Sequence, residues 1–195
     1  FFYGGDLGKV SFSRTLQTLS NALGKVLEHV GDADPPAVFI QSAPMAELLP
    51  GFMREHRLPL LAESVTPRIW IGNAVTVRSH CDANENIACA VAGRRRFTLF
   101  PPSQVHNLYV GPLDNTPSGS PVSMVSPEEP DLVRYPRFAV ALAHAQQGEL
   151  AAGDAIYIPY MWWHHVQSLE PFNVLVNYWW NAVDPALVSP FSTLF

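Results

Sequence analysis

From Pro67 to about residue 180 the chain is a succession of short apolar segments, at 69–71, 75–77, 87–91, 97–100, 155–158, 163–169 and 174–180. Turn-forming pairs separate many of them: Gly72 with Asn73, Ala92 with Gly93, Gly153 with Asp154, Glu170 with Pro171. Segments this short cannot bury a helical face, but as strands each can cross a small domain. The pattern predicts a mainly β protein, a sandwich or a barrel. Composition agrees. With 195 residues, 48% hydrophobic and 15% charged, the chain can close one sizeable core. Its 18 prolines and 12 glycines suit turns better than a helix bundle.

The same arithmetic excludes several classes. A net charge of −5 argues against a nucleic-acid partner held by bulk electrostatics. No apolar run approaches the ~18 residues of a membrane span. Two cysteines, Cys81 and Cys89, are too few for a disulfide scaffold. They read as free thiols in a reducing, cytoplasmic compartment. The chain opens on Phe1 without a Met and reads as part of a longer protein.

Three regions are expected. Residues 1–66 form an N-terminal decoration. It holds a short strand at 1–3, an amphipathic helix over 13–30 capped by Ser13 and ended by Gly31, a strand at 37–40 and a helical turn at 46–49. Residues 67–182 form the β core. Within it, 103–136 carries six prolines and little periodicity, and is expected to border a pocket entrance and influence substrate choice. Residues 138–147 resemble a short helix, and 183–195 form an incomplete tail.

Candidate chemistry begins with His80 and Asp82. In an extended segment, positions i and i+2 share a face, so an imidazole and a carboxylate reach one point. Alone, such a pair also fits a surface turn. A histidine from a distant strand would complete a two-His, one-carboxylate set, which suits Fe(II) and leaves positions open. Alternation turns His164 inward with Val166 and Ser168, and His165 outward with Gln167. A bulge would reverse that. In the run Arg94, Arg95 and Arg96, only Arg95 shares a face with Phe97 and Leu99. A guanidinium aimed inward needs an anion, and a diacid cosubstrate would supply one. Asn86 and Asn177 interrupt apolar strands. They are either satisfied core amides or contacts to a bound species. Trp162, Trp163, Trp179 and Trp180 read chiefly as packing. Cys81 should point away from the site.

The block from His80 through Asp82, Asn86, Gly93 and the arginine run to Pro101 and Pro102 resembles the Jumonji-C, cupin-like oxygenases. So does the block from Gly153 and Asp154 through Pro159 and Trp163 to His164, followed by Asn177 and Trp179. The resemblance implies a double-stranded β-helix, a cupin-like jelly roll with N-terminal helical decoration. It implies Fe(II) held by His80, Asp82 and His164. It places 2-oxoglutarate and O2 as cosubstrates, with Asn86, Asn177 and Trp179 lining their pocket. The implied reaction hydroxylates a C–H bond of a protein side chain or a small molecule. The family's cosubstrate lysine falls at Arg95, and the chain's only lysines are Lys9 and Lys25. Two further pocket positions, usually hydroxyl-bearing, fall at Val77 and Phe39. A non-oxidative cupin enzyme such as a sugar isomerase, or a non-catalytic metal-binding scaffold, would share the same fold. A homodimer is a further expectation.

Overall fold

The computed structural model describes residues 2–3, 12–13, 15–111 and 120–181. In chain order the elements are β1 (Phe2–Tyr3), β2 (Phe12–Ser13), α1 (Leu19–Glu28), β3 (Phe39–Pro44), α2 (Met45–Leu48), α3 (Pro50–Glu55), β4 (Pro67–Gly72), β5 (Thr76–Cys81), β6 (Glu85–Ala92) and β7 (Arg95–Phe100). A 3-10 turn over Pro102–Asn107 follows, then α4 (Phe138–Ala143), β8 (Gln146–Leu150), β9 (Ala155–Ile158), β10 (Trp163–Ser168) and β11 (Asn173–Trp180). One antiparallel sheet runs β5-β10-β7-β8 and the other β3-β4-β11-β6-β9; β1 and β2 pair separately. From β4 to β7, and again from β8 to β11, the chain changes sheet at every step. That winding is the double-stranded β-helix.

Strand alternation builds three apolar layers. Between the sheets lie Ala88, Ala90, Phe97, Leu99, Leu150, Ile158, Val166 and Leu175. The outer face of the five-stranded sheet, through Ile69, Ile71, Val176 and Tyr178, packs on Met45 and on Leu19, Leu23 and Phe52 of the N-terminal helices. The outer face of the four-stranded sheet, through Cys81, Phe100 and Trp163, packs on Leu108, Val125, Phe138 and Ala141. Side chains such as Phe97, Phe100 and Phe138 are fully enclosed. Each contributes about 1.5–3 kcal/mol by removal from water.

Several expectations shift. The first helix is shorter than 13–30. Thr18 caps it by accepting from the Asn21 amide at 3.3 Å, while Ser13 belongs to β2. Leu16, Leu27 and Val30, whose spacing of three to four would join them to the apolar face of a helix over 13–30, are exposed. β3 lies at Phe39–Pro44 rather than 37–40, with an irregularity between Ile40 and Ala43 where Ser42 takes φ 51°. α4 stops at Ala143, and Gln146 and Gln147 enter β8, a polar edge strand with no apolar period to reveal it. Phe1, the segment 112–119 and the tail 183–195 lie outside the described residues. Among the described residues no helix is long and apolar enough to cross a membrane.

Candidate active site

β5 and β10 pair antiparallel, and their register sets His80 directly across from His164. The two rings lie 4.2 Å apart between centroids. The loop after β5 returns Asp82 to the same point. Its Oδ1 is 3.9 Å from His80 Nε2 and its Oδ2 is 3.6 Å from His164 Nε2. One donor atom from each of the three residues lies within 4.8 Å of the others. Both rings are pinned from behind. His80 Nδ1 donates to the Arg78 carbonyl at 2.8 Å, and His164 Nδ1 donates to the Trp162 carbonyl at 3.1 Å. Those bonds select the tautomer whose Nε2 lone pair faces the site. Burial, then the neighbouring His80, push the His164 pKa down to about 4, so the ring is neutral at pH 7. Asp82 Oδ2 is buried without a hydrogen-bond partner. Two imidazole Nε2 atoms and a carboxylate with an unsatisfied oxygen, converging on one point, fit a divalent cation. Met161, at φ 62°, turns the chain here, and its amide donates to the Asp82 carbonyl at 3.2 Å.

The three residues line a narrow cavity between the sheets. Its other walls include Phe39, Trp70, Val77, Phe97, Ile158, Leu175 and Arg95. Arg95 is 2% exposed, and its Nε and Nη2 have no partner. Burial lowers its pKa to about 10, which leaves it charged at neutral pH. Its neighbours in sequence face the opposite way: Arg94 donates to Glu170 and Arg96 to Glu149 at the surface. Val77 lies in the cavity although it is three residues before His80, a spacing that alternation alone would put on opposite faces. A bulge explains it: Arg78 and Ser79 stand opposite the single residue His165, which restores Val77 to the inner side.

Asn86 and Asn177 are both buried and both line the cavity. Asn177 Nδ2 donates to Asn86 Oδ1 at 3.3 Å, and Trp70 Nε1 donates to Asn177 Oδ1 at 2.7 Å. Their satisfaction is thus side chain to side chain. Trp179 packs edge-on to Trp70 at 6.0 Å, and its buried Nε1 is unpartnered. Trp70 was not singled out from the sequence, although alternation with Ile69 and Ile71 marks it as the inward residue of β4. Trp163 and Trp180 point outward, the first into the insertion and the second onto Tyr157. Cys81 also points outward, and burial raises its pKa to about 11.

Among the described residues, the proline-rich insertion contributes none to the cavity lining. It covers the back of the four-stranded sheet and runs along the edge of β5, where Val122 bridges His80 and the Ser123 amide donates to the Ser79 carbonyl at 2.8 Å. His165 is 2% exposed on that outer side, and its Nε2 donates to Glu128 Oε1 at 2.5 Å. Burial would raise the Glu128 pKa, but hydrogen bonds from His165 and Ser126 outweigh it and bring it down to about 2. Nothing in the sequence singled out Glu128, which lies among prolines without periodicity.

Residues 1–185 match the cupin-like domain family. Lysine-specific demethylase JMJ31 of Arabidopsis thaliana is 40% identical over 114 residues, 58% of this chain and 20% of that protein. The human bifunctional peptidase and (3S)-lysyl hydroxylase JMJD7 is 30% identical over 160 residues, 70% of this chain and 49% of that protein. The chain therefore spans between a fifth and a half of the length of these relatives. The X-ray structure of E. coli ycfD superposes with a TM-score of 0.53 at 20% identity, over 98% of this chain and 44% of that one, which is a likeness of fold.

Proposed function

As the chain belongs to the cupin-like domain family, with Jumonji-type oxygenase relatives, we propose that it catalyses Fe(II)- and 2-oxoglutarate-dependent hydroxylation of a C–H bond. His80, Asp82 and His164 hold the iron. The bound metal, with 2-oxoglutarate and O2, supplies the oxidising chemistry and leaves succinate and CO2. The protein's residues bind and orient. Arg95 presents Nε and Nη2 to the far carboxylate of the cosubstrate, a side-on fork that matches two oxygens. Val77 and Phe39 bring no hydroxyl to that end, so Arg95 carries the carboxylate contact there. Trp179 Nε1 and the Asn86–Asn177 pair offer polar contacts beside the metal, while Phe97, Ile158 and Leu175 exclude water. Among the described residues, His80, Asp82, His164 and Arg95 are the titratable side chains that line the cavity.

The observation that carries this reading is the pairing of two unmet demands in one cavity: a ligand set for a cation and a buried guanidinium without an anion. A 2-oxo diacid answers both at once. Relatives named for lysine chemistry make protein side chains the first substrate class to examine. Free thiols at Cys81 and Cys89 suit a reducing, cytoplasmic setting. The test is succinate release from 2-oxoglutarate with Fe(II) and ascorbate, against a library of peptides and small molecules. Succinate formed only when both iron and 2-oxoglutarate are present is the expected result. Tight metal binding without 2-oxoglutarate binding or consumption overturns it in favour of a non-oxidative cupin enzyme or a metal-binding scaffold.

A further inference from the structure

We propose that Glu128, in the proline-rich insertion, is a positioning residue that holds the two metal-binding histidines in register. The proposal rests on the functional reading above through its metal site alone. β10 is paired with β7 without interruption from Trp163 to Ser168. On its other side the ladder to β5 is broken, because Arg78 and Ser79 together face His165. The extra residue of a bulge is left unpaired, so the ladder does not fix the strand spacing there. Yet His80 and His164 stand across this very join, one residue beyond the break. Their separation depends on what holds the join.

The insertion holds it from outside, at the residue next to each histidine. On β5 the Ser79 carbonyl accepts from the Ser123 amide at 2.8 Å. Ser123 is itself a buried peg whose hydroxyl donates to the Leu108 carbonyl at 2.6 Å. On β10 His165 donates from Nε2 to Glu128 Oε1 at 2.5 Å. The other ring nitrogen, Nδ1, is buried without a partner, so Glu128 alone orients this imidazole. Ser126 donates to the second carboxylate oxygen, which fixes the carboxylate within the insertion. Glu128 therefore ties the insertion to β10 beside the bulge, as Ser123 ties it to β5. It does not line the cavity, so it acts on the site through His165 and the backbone that His165 shares with His164.

The test uses the whole chain, freed of metal and titrated with Co(II), whose visible absorption reports ligand geometry. Glu128→Ala should weaken Co(II) binding about tenfold and shift the absorption band, at an unchanged circular dichroism spectrum. Glu128→Gln keeps an oxygen acceptor for the His165 Nε2–H, and should restore affinity and band to near the parental values. An E128A protein with parental affinity and band overturns the proposal, as does equal loss in E128Q and E128A. Should E128A fail to fold, Glu128→Asp decides. Its carboxylate is one methylene short, so weakened affinity with a shifted band supports the proposal, and parental behaviour overturns it. A parent chain that binds no Co(II) removes the metal site and this proposal together. A parent that binds Co(II) but releases no succinate removes the oxygenase reading and leaves this proposal standing.

Discussion

His164 and His165 stand back to back on β10, and the two faces they serve are opposite in kind. On the inner face His164 Nε2 faces Asp82 Oδ2 at 3.6 Å, Asp82 Oδ2 and Trp179 Nε1 have no hydrogen-bond partner, and Arg95 leaves two donors unmet. On the outer face His165 is bonded to Glu128 through Nε2 although its Nδ1 has no partner, Ser123 bonds two carbonyls, and Cys81, Phe100 and Trp163 lie under the insertion. β7 repeats the contrast in its arginines: Arg95 is buried without a partner, whereas Arg94 and Arg96 share Glu170 and Glu149 at the surface. A buried polar group without a partner is destabilising by about 1–3 kcal/mol, and more when charged. The inner face gathers the charged ones, Asp82 and Arg95, and they mark it as built around something other than protein. The partnered face serves as its support.

The sharpest way to break this contrast is to compare ligands with supports. His80→Ala, Asp82→Ala and His164→Ala should each weaken metal binding by more than about a hundredfold in a calorimetric titration, whereas His165→Ala should weaken it by about tenfold. Metal loss from His165→Ala that exceeds the loss from His164→Ala would invert the two faces.

A smaller effect is expected along β7. Arg95→Ala should raise the 2-oxoglutarate KM by about 10–100-fold, since one charged hydrogen-bonding contact is worth about 1.5–3 kcal/mol. Metal affinity should hold. Arg95→Lys should recover part of the loss, a point charge standing in for a fork. Arg94→Ala and Arg96→Ala break exposed ion pairs and should change KM less than about twofold. Parental 2-oxoglutarate kinetics in Arg95→Ala would leave the guanidinium with no assigned partner and the comparison without its strongest member.

The smallest effect concerns the outer face. The Glu128 pKa is depressed in the folded chain to about 2. Its stabilisation is therefore fully present above the unfolded carboxylate value, near 4.5, and is lost as pH falls toward 2. Urea midpoints of the parent and of Glu128→Gln should differ at pH 6 and converge below pH 3. A constant difference across that range would mean that the carboxylate charge contributes nothing there.

The β architecture was legible because period-two alternation and turn residues are local signals. They placed the core strands, turned Arg95 and His164 inward, and turned Cys81 outward. Alternation failed where strand pairing is irregular. It cannot foresee that Arg78 and Ser79 together oppose His165, and so it cannot bring Val77 to the same side as His80. Nor did apolar period reveal β8, an edge strand whose place is set by pairing with β7.

What the sequence determined by itself is which side chains face inward, because the pleat of a strand dictates it residue by residue. What only the tertiary structure decided is who meets whom. The partnership of Trp70 with Asn177 joins positions 107 residues apart. That no carboxylate among the described residues meets Arg95 is decided by the fold and not by any local pattern. The support that Glu128 gives His165 depends on a loop whose path over the sheet follows from burial of Leu108, Val125 and Phe138, far from any local pattern.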